Sequence, residues 1–108
     1  MHTDGGCIGA LFSLLSQTHM MQIMSILMEA EEPVRFTQLQ TQLDMSPNTL
    51  STRLKALVEC GLLTRTPFAT IPPRVDYEVT EKARDLRPTF ATLGNWARDH
   101  DLAPVVMK

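Results

Sequence analysis

Apolar positions recur at helical spacing along most of the chain and change to strand-like alternation between Leu62 and Val79. Cys7 to Leu15 predicts a short apolar helix. A second helix is expected from Thr18, its N-cap, with Met20, Met21, Ile23, Met24, Ile26, Leu27 and Met28 apolar on most sides. A helix that is apolar nearly all round is buried on both flanks. Either a partner subunit or the monomer's own core takes the second flank; the adaptable methionines suit the partner. Glu29 to Pro33 predicts a turn, and Val34-Arg35-Phe36 a strand of one rung.

Thr37-Gln38-Leu39-Gln40 fits a capping box, with Thr37 as N-cap and Gln40 reaching back, on a helix that buries Leu39 and Leu43. After an Asp44-Met45 turn, Ser46 is expected to cap the next helix. Pro47 takes its first position, where a missing N–H costs nothing. Leu50, Leu54, Leu57 and Val58 share one face of that helix, which stops at Cys60-Gly61. Leu62 to Thr66 and Val75 to Val79 predict two strands joined by a proline-bent loop, Pro67 to Arg74. Thr80 is expected to cap a last helix, Glu81 to His100, with Leu86, Phe90, Leu93, Trp96 and Ala97 on one face; Pro88 kinks it or breaks it in two.

The predicted fold is mainly α with a small β-hairpin (α+β), a winged helix-turn-helix. Residues 1–6 are expected to form a flexible arm, 7–101 the domain with dimerisation helices at both ends, and 102–108 a tail. On the helix that starts at Ser46, Asn48, Thr52, Lys55 and Glu59 point away from the leucines, flanked by Thr49 and Ser51. Asn48 can pair with adenine, the hydroxyls with bases or phosphates, and Lys55 with guanine or phosphate. Thr37, Ser46 and Arg53 complete the candidate DNA-contacting set on the two helices. Arg65 and Arg74 extend it to the hairpin, where an arginine can clamp phosphate or enter the minor groove. The competing readings are a solvated helix face, and an Arg74 paired with Asp76 or Glu78. Tyr77 alternates with Val75 and Val79 and is expected in the core.

Net charge is -2, which by itself disfavours nucleic acid, but the charge is unevenly distributed. Residues 1–33 hold four acidic and no basic residues; residues 34–84 hold seven basic against five acidic. The positive excess lies on the DNA-reading segment, so weak non-specific binding and marked salt sensitivity are expected. An apolar share of 44% is ordinary for a globular domain. No apolar run approaches the roughly 20 residues of a membrane span, and the start lacks a signal peptide's basic region. A cytoplasmic location is therefore expected. His2, His19 and His100 have no ligand-like spacing, and Cys7 and Cys60 make neither a disulfide framework nor a zinc motif, so no metal or cofactor is expected.

Phe36-Thr37-Gln38-Leu39, the Ser46–Leu57 helix, Gly61-Leu62-Leu63-Thr64-Arg65 and above all Ile71-Pro72-Pro73-Arg74-Val75-Asp76-Tyr77-Glu78-Val79-Thr80 resemble the HxlR-type winged-helix regulators, relatives of the MarR type. The resemblance covers roughly residues 7–98. It implies a homodimer paired through its first and last helices on a palindromic operator, as repressor or activator. It also implies, for some members, sensing of electrophiles or oxidants by a cysteine just before the first long helix, about where Cys7 stands. Two departures bear on that sensing: Ile8 replaces the usual proline, and Gln17-Thr18-His19-Met20-Met21 replaces a Gly-Gly-Lys-Trp-like entry to the second helix. The competing reading makes Cys7 a buried apolar cap of the first helix.

The function expected is a sequence-specific, dimeric transcription regulator on double-stranded DNA, responsive to redox state or to a small-molecule or oxidant effector. The alternative is a winged-helix module of the transcription machinery that binds protein. An enzyme is not expected, because the chain has no paired carboxylates, nucleophile–base set or glycine-rich phosphate loop.

Overall fold

A computed structural model describes residues 3–102. In chain order its elements are α1 (Thr3–Leu15), α2 (Met20–Glu29), β1 (Val34–Arg35), α3 (Phe36–Leu43), α4 (Pro47–Glu59), β2 (Leu63–Phe68), β3 (Arg74–Val79), α5 (Glu81–Arg84) and α6 (Arg87–Asp99). The strands form one antiparallel sheet in the order β1-β3-β2. β2 and β3 pair from Leu63 opposite Val79 to Phe68 opposite Arg74, and β1 sets Val34 against Tyr77.

The core follows from the apolar stripes. Met20, Ile23, Met24, Leu27, Leu39, Leu50, Leu54 and Leu57 are fully buried, and Leu62, Leu63, Tyr77, Val79 and Ala83 close the core from the sheet and α5. Tyr77 is thus a core residue, as its alternation with Val75 and Val79 predicts. The monomer itself takes most of α2: of its large apolar side chains only Met21 stays exposed. Unpartnered apolar surface lies instead on α1, at Ile8 and Phe12, and on α6, at Leu93 and Trp96.

Local chemistry moves several boundaries. α1 begins at Thr3, four residues before the expected Cys7 start. Residues 3–6 of the expected arm belong to α1; its first two residues, and 103–108 of the expected tail, lie outside the described residues. The cap of α2 is His19, not Thr18; His19 is left-handed at φ 67° and caps through its carbonyl, which accepts from Ile23 N–H at 3.0 Å. The cap of α3 falls at Arg35 rather than Thr37, because the Gln38 side-chain oxygen accepts from the Arg35 N–H at 2.9 Å. The structure settles Pro88 as a break: it takes an N-terminal position of α6, where its missing N–H is tolerated. The strands are longer than the alternation predicts and take in Pro67, which an edge strand such as β2 accommodates. No helix among the described residues is long and apolar enough to cross a membrane.

Candidate nucleic-acid interface

The candidate recognition helix is α4, and its two ends are fixed by different devices. At the start, Asp44 turns the chain through a left-handed conformation (φ 53°), and Ser46 caps. Ser46 Oγ accepts from Thr49 N–H at 3.2 Å and donates to Thr49 Oγ1 at 3.0 Å. At the far end, Leu62 N–H reaches Leu57 C=O at 2.9 Å and Gly61 N–H reaches Val58 C=O at 3.0 Å, with Gly61 at φ 79°. That pair of bonds around a left-handed glycine is a Schellman closure. α5 then fastens it: Thr80 Oγ1 donates to Gly61 C=O at 2.7 Å, and Lys82 Nζ to Cys60 C=O at 2.8 Å. Thr80 also caps α5, as expected, by accepting from Ala83 N–H at 3.2 Å.

Between those ends the leucines anchor one face, and Asn48, Ser51, Thr52 and Lys55 are exposed on the other. Thr52 Oγ1 donates to Asn48 C=O at 2.9 Å, which sets its rotamer and leaves its methyl and lone pairs outward. Thr49 is half-buried. Arg53 has a structural engagement: its Nε donates to Thr18 C=O at 2.9 Å and ties α4 to the start of α2. A hollow of ≈ 360 Å³ brings Ser46, Thr49 and Arg53 together with Thr18, His19 and Asp44. Thr37 is exposed on α3, where its carbonyl accepts from Thr41 Oγ1 at 3.0 Å.

In the hairpin, Arg65 is exposed on β2 opposite Tyr77. Arg74 is not at the wing tip. It opens β3 below the five-residue loop 69–73. Its guanidinium carbon lies 4.3 Å from the centroid of the Phe68 ring, its cross-strand partner, and its Nε lies 3.5 Å from Asp76 Oδ1. That separation is an ion pair rather than a hydrogen bond, and both atoms are buried without another partner. The Asp76 pairing is thus the one the hairpin adopts; Glu78 faces Arg84 at 3.9 Å.

Both cysteines are free and exposed, so Cys7 is not a buried cap. They line one cavity of ≈ 560 Å³ between α1, the end of α4 and α5, whose walls include Leu11, Leu14, Lys82 and Leu86. Lys82 carries no motif in the sequence, and only the fold reveals that it holds the end of α4.

A family model for the HxlR-like helix-turn-helix matches residues 14–103. The chain belongs to the HxlR-like family. An HTH-type transcriptional regulator of Halalkalibacterium halodurans is 36% identical over 89 residues, covering 82% of this chain and 78% of its own. One from Mycobacterium tuberculosis is 41% identical over 66 residues, of which this chain spans only 42% of the relative's length. The regulator YodB of B. subtilis is similar in structure in its reduced form (TM-score 0.71, 30% identity, 82% of this chain and 86% of that one). So is its quinone-bound form (TM-score 0.72, 28% identity, 85% and 94%). This HxlR-type chain is therefore a helix-turn-helix transcriptional regulator and not an enzyme, with a winged-helix fold, and its family implies DNA binding.

Proposed function

We propose that this HxlR-type regulator binds a pseudo-palindromic operator as a homodimer, with α4 of each protomer in the major groove. The observation that carries this reading is the two-ended anchoring of α4. Ser46 and Arg53 hold its start, and Thr80 and Lys82 hold its end. The helix is thereby rigid while Asn48, Ser51, Thr52 and Lys55 face outward. Ser46 and Thr49 lie at its N-terminus, where backbone N–H groups favour phosphate. Arg65 adds a cation on β2, and Thr37 a hydroxyl on α3. The unpartnered apolar side chains on α1 and α6 support pairing through those helices. Half-sites then lie about one helical turn apart, roughly 10 base pairs or a multiple. A cytoplasmic location follows from the DNA target.

The same reading makes the regulator responsive to electrophiles or oxidants. Its support is the shared cavity of Cys7 and Cys60 and the existence of a quinone-bound structure of the similar YodB.

The test is selection of duplexes from a randomised pool, followed by titration with Thr52→Ala and Lys55→Ala. Thr52→Ala is expected to relax preference at one base pair and to cost about 1–3 kcal/mol. Lys55→Ala is expected either to do the same at a guanine or to lower the salt slope by about one unit at a phosphate. If both variants select and bind as the parent does, α4 is not the reading helix. If the parent selects nothing, the chain is a protein-binding module instead.

A further inference from the structure

The hairpin loop has an uncharged apex. From Thr66 to Pro73 the sequence is Thr-Pro-Phe-Ala-Thr-Ile-Pro-Pro, without one ionisable side chain. Ile71, in the middle of the loop, is 100% exposed, the most exposed large apolar side chain among the described residues. It is presented by a braced loop: Thr70 Oγ1 donates to Pro72 C=O at 2.8 Å across it, and two prolines of fixed φ follow. The nearest cation, Arg74, is turned back along the hairpin onto Phe68 and Asp76. The paired strands carry this apex outward. Five residue steps from Leu63 to Phe68 at ~3.3 Å each place the loop about 17 Å from the root of the sheet.

Single exposed apolar side chains are common on protein surfaces; what sets Ile71 apart is its full exposure on a braced loop at the far end of the hairpin. A protein-docking surface would need a contiguous apolar patch of several hundred Å². Around Ile71 the only apolar neighbours at the apex are Ala69, Pro72 and Pro73, because Phe68 lies under the Arg74 guanidinium. A single exposed apolar side chain on a stiff support instead suits a wedge, the device by which minor-groove proteins part a base step.

We propose that Ile71 is an apolar wedge that enters the DNA minor groove beside the site read by α4, and that it selects a deformable base step there. The inference rests on the DNA-binding reading of α4. It also sets the kind of sequence preferred. An arginine at a wing tip gains from the narrow, strongly negative minor groove of an A-tract. An uncharged wedge gains nothing from that potential and is favoured where unstacking is cheap, at TA or CA/TG steps. Specificity at that flank therefore arises without a hydrogen bond to any base.

The experiment uses the full chain and duplexes that it selects itself from a randomised pool, with flanking steps then exchanged between TA and AA. Ile71→Ser and Ile71→Arg are compared with the parent for affinity, salt slope and DNA bending. Because Ile71 touches solvent only, both variants should melt as the parent does. Ile71→Ser should bind about tenfold more weakly, bend the duplex less, lose the preference for TA and keep the parent's salt slope. Ile71→Arg should recover affinity with a slope steeper by about one unit and turn the preference toward AA. A serine variant with the parent's affinity, bend and flanking preference overturns the wedge. Loss of binding in Thr52→Ala and Lys55→Ala beside an unaffected Ile71→Ser would remove the wedge and leave the α4 reading standing. A parent that selects no duplex removes both.

Discussion

Truncating Trp96 to Ala should split the proposed homodimer while leaving the monomer folded. Trp96 is 53% exposed, and α6 has no fully buried residue, so the monomer core does not depend on it. A large aromatic side chain buries about 150–250 Å² when covered, so roughly 100 Å² of Trp96 is left for a partner. At about 25 cal/mol per Å² that area is worth about 2.5 kcal/mol. Two-fold symmetry places the residue in the interface twice, which doubles the loss to about 5 kcal/mol. The dimer dissociation constant should then rise by about three and a half decades. The His100 ring stacks on Trp96 at 4.4 Å between centroids and 17° between planes, so truncation also frees a second ring of the same surface. Light scattering along a dilution series reads the mass directly. Phe12→Ala, on α1, should move the midpoint in the same direction, and Ile71→Ser, at the wing, should not move it. A parent that runs at the mass of one chain at micromolar concentration would refute the argument. So would a Trp96→Ala dimer that dissociates at the parent's concentration.

Three other outcomes follow from the geometry. Arg74→Ala should lower stability by only about 0.5–1 kcal/mol, since the Arg74 side chain is 37% exposed, its removal opens Asp76 to water, and its stacking is modest. It should leave the slope of log affinity against log salt unchanged; a slope lower by about one unit would show that Arg74 leaves Asp76 for a phosphate. Gly61→Ala should destabilise by about 1–2 kcal/mol in thermal or urea unfolding, because the Schellman closure needs the left-handed conformation. An unchanged midpoint would mean that α4 ends differently. Treatment with benzoquinone should abolish operator binding by the parent and spare Cys7→Ser, with the adduct located at Cys7 by mass spectrometry; equal inhibition of both proteins would place the sensing elsewhere.

Elements whose signals are local were legible in the sequence. Ser46-Pro47 starts α4, Gly61 stops it, and Leu50, Leu54 and Leu57 fill the core as their spacing demands. Thr80 likewise caps the helix that follows β3. Where two residues compete for one cap, spacing did not decide. Thr37 and Gln40 satisfy the capping pattern on paper, but Gln38 bonds back to Arg35 because Val34–Arg35 is already held against β3. Of the two readings left open for α2, the monomer core is the one the structure adopts for most of the helix. Apolar residues on most sides signalled burial on two flanks; the sheet, α1 and α3 pack against α2, which leaves Met21 exposed, and the larger unpartnered surface is on α1 and α6.

The candidate site divides along the same line. A polar face opposite a leucine stripe is a property of one helix, so Asn48, Ser51, Thr52 and Lys55 could be placed from period alone. Arg53 and Arg74 could not, because each is claimed by a residue that only the fold brings near: Thr18 C=O, 35 positions away, and the Phe68 ring across the hairpin. Charge in the sequence therefore overstated the cations available to DNA. Asp76 compensates Arg74, and backbone carbonyls hold the heads of Arg53 and Lys82 in place, so the cations free to reorient toward a phosphate near the candidate reading face are largely Lys55 and Arg65. A regulator with so few free cations gains little from phosphate, so its affinity must come from hydroxyls, Asn48 and apolar contact. The expected consequence is a shallow salt dependence, with a slope of about two to four per protomer pair rather than the six to ten of a strongly basic protein. Affinity for the selected duplex measured from low to high salt checks it directly. A slope beyond six would mean that Arg53 and Arg74 abandon their internal partners on DNA, and that the interface of the free protein is not the one it presents to its operator.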